Sequence, residues 1–340
     1  MIYRSKAPLR IGLAGGGTDV SPYSDQFGGA ILNATISLFA YANIQILDEP
    51  AIIVEALDRK EIQRFPWSRQ LKIDGTLDLL KGVYNRIQQD FGIPEKGLRL
   101  STFVDAPAGS GLGTSSTLVV AILGAFVEML KLPLGDYDIA HLAYQIERED
   151  LQLAGGKQDQ YAAMFGGVNF MEFYEGDKVI VNPLRIRSEY LHELENNLVL
   201  YFTANSRQSA AIIKEQVKNV HNKNEKSIEA MHQLKEQARM MKEALLKGKL
   251  NEIGEILDFG FMQKRRMAEN ISNSRIEEIY DAARKAGATG GKISGAGGGG
   301  FMIFYCPANT HHEVIEALER FGGEVKNYTF TKYGLTTWSV

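Results

Sequence analysis

Residues Pro107–Thr117 read PAGSGLGTSST, with glycines alternating at Gly109, Gly111 and Gly113 and hydroxyls at Thr114, Ser115, Ser116 and Thr117. An apolar run of helical character, LVVAILGAFVEML, follows at once. A glycine-rich turn aims successive backbone N–H groups into one concavity, an anion nest. A helix beginning near Ser115 adds its free amides and the positive end of its dipole. Side chains at the three glycines would obstruct a polyphosphate approaching that backbone. The hydroxyls bond phosphate oxygens, and one can serve as a hard oxygen ligand to Mg²⁺. A plain helix N-cap would employ one hydroxyl and leave the alternating glycines without a purpose. The segment reads as a phosphate site.

Two named phosphate loops do not fit. No lysine completes the GxxxxGK[ST] spacing of a P-loop. Gly295–Gly300 contains a GxGxxG match, but the β-rich run Phe301–Tyr305 follows it where a dinucleotide fold requires a helix.

The wider chain bounds the answer. Its 340 residues, 44% hydrophobic and 23% charged, suit an ordinary globular protein with one large core or two smaller ones. A net charge of −3 provides no basic field for nucleic acid or an anionic membrane. The single cysteine, Cys306, follows the apolar run FMIFY and reads as buried filler in a reducing compartment. The N-terminus lacks the apolar segment of a secretory leader, and no apolar run is long enough to span a bilayer. A cytoplasmic protein is expected.

The first fifty residues read as strands: IYRSKA, RIGLA, AILNATI and FAYANIQIL. Leu77–Phe91 has helical spacing, LRLSTFV returns to strand, and helices follow over about 115–130 and 136–150. GGVNFMEF and KVIVNPL suggest a hairpin about Glu175-Gly176-Asp177. Beyond about 188 helices dominate: 208–219, 222–247, 274–286 and 311–321, with strands at GKIS, FMIFYC and EVKNYTF. A boundary near 187 gives two α+β units, 1–187 and 188–340.

PAGSGLGTSS, Pro107 to Ser116, resembles the ATP-binding motif of the GHMP kinase superfamily. APLRIGLAGGGTDV (Ala7–Val20) resembles its N-terminal motif and KISGAGGGGFMIF (Lys292–Phe304) its C-terminal one. The three occur in the family's order and span nearly the whole chain. The resemblance implies an α+β fold: an N-terminal domain like domain 2 of ribosomal protein S5, a ferredoxin-like C-terminal domain, and an active site between them. It implies ATP as co-substrate and Mg²⁺. It assigns ATP to Pro107, Gly109, Ser110, Gly111, Leu112, Gly113, Thr114, Ser115 and Ser116.

The resemblance to galactokinases, within that superfamily, gives Ser115 and Glu147 to the metal, Asp159 to the acceptor hydroxyl as base or orienting acceptor, and Arg10 to charge on the moving phosphoryl group. Local sequence alone also reads Glu147 as a solvated helix face, since Arg148, Glu149 and Asp150 adjoin it. It reads Arg10 as a strand-end surface arginine and Asp159 as a helix N-cap. Gly155-Gly156 before Asp159 suggests a tight turn feeding a site.

Asp19, in GGGTDV, matches the aspartate that binds sugar hydroxyls in galactokinases, and Gly16, Gly17 and Thr18 join it as substrate residues. Galactokinases carry bulkier polar residues where Gly16 and Gly17 stand, which implies an enlarged sugar pocket here. Ala14–Ile36 most closely resembles the bacterial D-glycero-D-manno-heptose 7-phosphate kinases, which phosphorylate the anomeric hydroxyl to give the 1,7-bisphosphate. Lys157, Arg207 and the cluster Lys264-Arg265-Arg266 are the candidate partners of a substrate phosphate. A fucokinase- or galactokinase-like kinase of a free sugar, a lyase like the diphosphomevalonate decarboxylases, and a non-catalytic sugar and ATP sensor are the competing readings. The expected partners are a sugar phosphate and ATP, with no nucleic acid or membrane. A homodimer is compatible with this reading.

Overall fold

The β-branched and aromatic residues of the N-terminal fifty build two long antiparallel strands, β1 (Ile2–Ala14) and β2 (Gly29–Leu47). They are the spine of the first sheet in a computed structural model that describes residues 1–204 and 209–340. Sequence breaks suggest four strands, but the pairing runs on through them. Pro8, which would end a regular strand, coincides with a register shift between Pro8 and Arg10.

The remaining strands of that sheet are β3 (Ala51–Ala56), β4 (Glu61–Pro66), β5 (Gly97–Val104), β6 (Val168–Phe173) and β7 (Val179–Pro183). The order runs β1-β2-β5-β3-β4, and β6 with β7 continues from the N-terminal half of β2. Helices α1 (Tyr23–Phe27), α2 (Asp78–Asp90), α3 (Thr114–Leu130), α4 (Asp136–Gln145) and α5 (Gln158–Phe165) belong to this half of the chain. In α3 every residue from Ser116 to Phe126 is buried, so it is the half's central core helix.

Then come α6 (Ser188–Asn197) and a second, four-stranded antiparallel sheet of β8 (Leu198–Phe202), β9 (Gly290–Ile293), β10 (Phe301–Tyr305) and β11 (Glu324–Val325). Its order, β11-β8-β10-β9, is the ferredoxin-like arrangement. Helices α7 (Ser209–His221), α8 (Glu225–Lys247), α9 (Ile253–Lys264) and α10 (Ser274–Lys285) lie between β8 and β9 in sequence, and α11 (His311–Glu319) between β10 and β11. The expected strand EVKNYTF shrinks to Glu324–Val325. The last strand, β12 (Thr336–Ser339), leaves this half and pairs with β1 on the first sheet.

One core spans both halves. Leu9, Ile11 and Leu32 of the first sheet pack in one cluster with Leu200 and Ile303 of the second and Met241 of α8. The joint therefore holds the turn after β1, the loop before α3 and the loop after β9 close together.

Candidate active site

The glycine loops meet backbone to backbone. Gly109, Gly111 and Gly113 have φ of 73°, 84° and 78°, a left-handed backbone that glycine adopts without steric cost. A Cβ on Gly111 would stand 2.6 Å from the Ser294 carbonyl oxygen, and one on Gly295 would stand 2.7 Å from Gly111 Cα. The glycines thus serve the backbone and the loop-to-loop contact, and the obstruction they avoid at Gly111 is protein. Gly111→Ala is expected to cost about 1–3 kcal/mol of stability, read as a lowered Tm, and to raise the KM of the phosphate donor.

The carbonyls of this loop are taken from behind. Phe301 N donates to Ser110 O (2.8 Å), Arg10 N to Leu112 O (3.2 Å), and Arg10 Nη1 and Ser294 Oγ to Gly111 O (2.6 and 2.8 Å). The amides of residues 111–116 donate to no protein acceptor among the described residues. Gly113 is the N-cap of α3, and no side chain caps the helix. The N-cap alternative therefore lacks its hydrogen bond, and a run of free amides at a helix N-terminus remains. Such a run of amides is the arrangement that favours an anion.

These amides open on a cavity of about 290 Å³ between the two halves, lined also by Arg10, Asp19, Glu147, Asp159, Lys264 and Lys292. Arg10 is buried, and its Nε and Nη2 donate to Asp159 Oδ1 at 2.7 and 2.6 Å. Asp159 lies in the first turn of α5, whose N-cap is Lys157, so it is not the cap. Asp19 is buried at the cavity wall, and its Oδ2 accepts from Gln158 N at 3.0 Å. Burial, with the Asp159 charge added, raises the Asp19 carboxyl above the usual range. A Cβ on Gly156 would collide with that carboxylate, so glycine is what lets the 155–156 turn close over Asp19.

Glu147 is buried, whereas its neighbours Glu149 and Asp150 are exposed. Glu147 continues the buried stripe of α4, four residues after Ala143 and eight after Ile139, into the π-helical turn Ile146–Asp150. Among the described residues, Glu147 Oε2 accepts from Gln160 Nε2 at 2.5 Å, while Oε1 has no hydrogen bond and pairs loosely with Arg148 Nη1 at 3.7 Å. Ser115 faces the same cavity with an exposed side chain. One carboxylate and one hydroxyl form a short, hard donor set, and no group of three acidic, histidine or cysteine side chains gathers among the described residues. Such a set fits Mg²⁺, which usually takes one or two carboxylates and fills its shell with phosphate and water.

Other expected residues lie off this cavity. Pro107 is exposed outside it, while Ser110 and Leu112 are buried beneath the loop. Thr18 donates to Gly15 O and Ala30 O, both at 2.9 Å, and so pins the turn from within. Lys157 is paired with Asp177 at 2.7 Å and Asp25 at 3.4 Å, so its charge is already matched, and it lines an adjoining recess. Arg265 stacks on Phe261 and pairs with Glu277, and Arg266 reaches Gln263. Arg207 lies outside the described residues.

Of the three-residue cluster only Lys264 enters the cavity, its ammonium pushed down to about 8 by burial. That shift disfavours the charged form in the fold. Its stability cost is therefore full below about pH 8 and eases as pH climbs toward the ordinary lysine value. Lys292 and Gln216 are cavity residues that the sequence reading left without a role. The signal for Gln216 was present: it falls on the buried stripe Ile212, Gln216, Val220 of α7, where an apolar residue is expected.

Two family models match the chain: the N-terminal domain of GHMP kinases over residues 78–167 and the C-terminal domain of GHMP kinases over 241–324. The chain is 46% identical to the D-glycero-alpha-D-manno-heptose 7-phosphate kinase of Campylobacter jejuni, covering 99% of each. It is 47% identical to a crystal structure described as a D-glycero-D-manno-heptose 1-phosphate kinase from Bacteroides thetaiotaomicron, with a TM-score of 0.85 and 99% of each chain covered. Galactokinase of Lactococcus lactis, solved with galactose, shares the fold at a TM-score of 0.77 and 18% identity, over 98% of this chain and 95% of that one.

Proposed function

Because the chain belongs to the GHMP kinases and is an ATP-dependent sugar kinase, we propose that it transfers the γ-phosphoryl group of ATP to the anomeric hydroxyl of D-glycero-D-manno-heptose 7-phosphate. The observation that carries this reading is one cavity in which free helix amides, the Arg10–Asp159 pair and Asp19 converge. The 46% identity to the Campylobacter enzyme over the full chain supports the sugar.

In this reading the amides of 111–116 seat the nucleotide phosphates. Asp19 accepts from ring hydroxyls, and Gly16 and Gly17 leave room for the sugar. Asp159 accepts the proton of the attacking hydroxyl or orients it, and the Arg10 guanidinium fixes that carboxylate and offsets charge on the transferring group. Ser115 and Glu147 would hold Mg²⁺, which when bound neutralises charge on the phosphates. Gln160, hydrogen-bonded to both Glu147 and Ser116, keeps the carboxylate aimed.

Glu147→Gln is expected to raise the Mg²⁺ concentration for half-maximal rate about tenfold or more, since a charged oxygen ligand is lost. A Mg²⁺ titration at saturating ATP checks this, and an unchanged curve removes Glu147 from the metal site. The function itself is tested by coupled ADP release with D-glycero-D-manno-heptose 7-phosphate against L-fucose, D-galactose and D-mannose. The heptose phosphate should be turned over far faster than any of them. Preference for a free sugar would retain the kinase and discard the heptose assignment.

A further inference from the structure

Three side chains that line the cavity hold more hydrogen-bond donors than the described residues use. Lys264 at the end of α9 and Lys292 in β9 are both buried and both line the cavity. Lys264 Nζ donates to Gly295 O at 2.6 Å and Lys292 Nζ to Gly12 O at 2.8 Å. Neither has a carboxylate within ion-pair distance among the described residues. An ammonium carries three donors, so each keeps two in hand. Gln216 is buried and lines the same cavity, and its Nε2 has no hydrogen-bond partner among the described residues.

The protein's own anions match this charge only in part: Asp19 acts on Lys264 through space, with no hydrogen bond or ion pair between them among the described residues. Asp159 is engaged by Arg10, and Asp19 accepts a backbone amide. Burying two ammonium groups beside a third buried cation is costly unless an anion arrives. The nucleotide phosphates have their own donors in this reading, the free amides of 111–116. The turn after β1 lies close against these side chains: a Cβ on Gly16 would be 3.5 Å from Lys264 Nζ, and one on Gly17 would be 2.6 Å from Met267 Cε and 3.6 Å from Gln216 Oε1.

We propose that Lys264, with Lys292 behind it and Gln216 beside it, holds the phosphate monoester that the acceptor sugar already carries, and so makes the enzyme specific for a phosphorylated acceptor. This rests on the sugar-phosphate reading above and names the residues that enforce it.

The test compares wild type with Lys264→Met and Lys264→Arg, using D-glycero-D-manno-heptose 7-phosphate and the same heptose without phosphate. With Lys264→Met, kcat/KM for the phosphorylated heptose relative to the free heptose should fall about 10- to 100-fold, the worth of a charge-assisted hydrogen bond. The KM for ATP should not rise in parallel, and Lys264→Arg should restore part of the ratio. Ligand-free Lys264→Met should unfold at the same or a higher temperature than wild type, because a buried unmatched charge is gone. Its Tm gain on adding heptose 7-phosphate should shrink.

An equal loss on both heptoses, a rise in the ATP KM instead, or a Tm drop of several degrees without ligand would each overturn the proposal; the last would make Lys264 a brace for the Gly295 loop. A wild-type enzyme that uses both heptoses equally removes the substrate reading and this inference with it. A wild-type preference that survives Lys264→Met removes the inference alone.

Discussion

Asp159→Asn is expected to lower kcat by about 10²–10⁴-fold, the usual worth of a positioned general base, while ATP still binds. The amide is nearly isosteric, so α5 and the packing against Gly113 are retained. A Cβ on Gly113 would lie 3.1 Å from Asp159 Cγ, which shows how tightly the loop and this side chain fit. What the substitution removes is the anionic acceptor for the sugar hydroxyl. The amides that seat the nucleotide belong to the backbone of 111–116 and are untouched. Steady-state rates together with titration of a non-hydrolysable ATP analogue separate the two effects. A variant with near-normal kcat would remove Asp159 from the chemistry.

The second large effect is at Arg10. Arg10→Met should reduce kcat by about 10³-fold or more, on the scale of an arginine that stabilises phosphoryl transfer. It should also weaken ATP binding modestly, because Gly111 O loses its 2.6 Å donor and the loop loosens. Lysine is a poor substitute. Arg10 uses Nε and Nη2 on Asp159 and Nη1 on Gly111, a fork that a single ammonium cannot reproduce. Since Arg10 and Asp159 act as one unit, the double variant Arg10→Met/Asp159→Asn should be scarcely slower than the worse single variant. Rate losses that multiply would mean that the two residues work independently.

Much of this was legible in the chain. The loop of free amides showed itself because three alternating glycines before a helix have few structural uses, and its order with the two other motifs pointed to the two-domain fold. The strands were legible as β-rich runs, but not as two continuous ones, because the bulge at Pro8 depends on pairing that sequence does not display. Glu147 was hidden among charged neighbours. Its helical phase, four residues after Ala143 and eight after Ile139, puts it on the buried stripe, a signal that the run of charges masked. Lys157 shows the opposite failure: beside the catalytic segment it looked free, but folding delivers Asp177 and Asp25 to it from elsewhere in the chain. In Lys264-Arg265-Arg266 the three cations look alike in sequence, but α9 ends at Lys264, which is buried at the cavity, while Arg265 turns onto Phe261 and Glu277 and Arg266 is exposed.

The most direct test of the account is the position of the new phosphate. Product formed from Mg·ATP and D-glycero-D-manno-heptose 7-phosphate should give a second phosphorus resonance by NMR, coupled to the anomeric proton, with the 7-phosphate signal retained. Coupling of the new phosphorus to any other sugar proton, or turnover of the heptose 1-phosphate and not of the 7-phosphate, would contradict it.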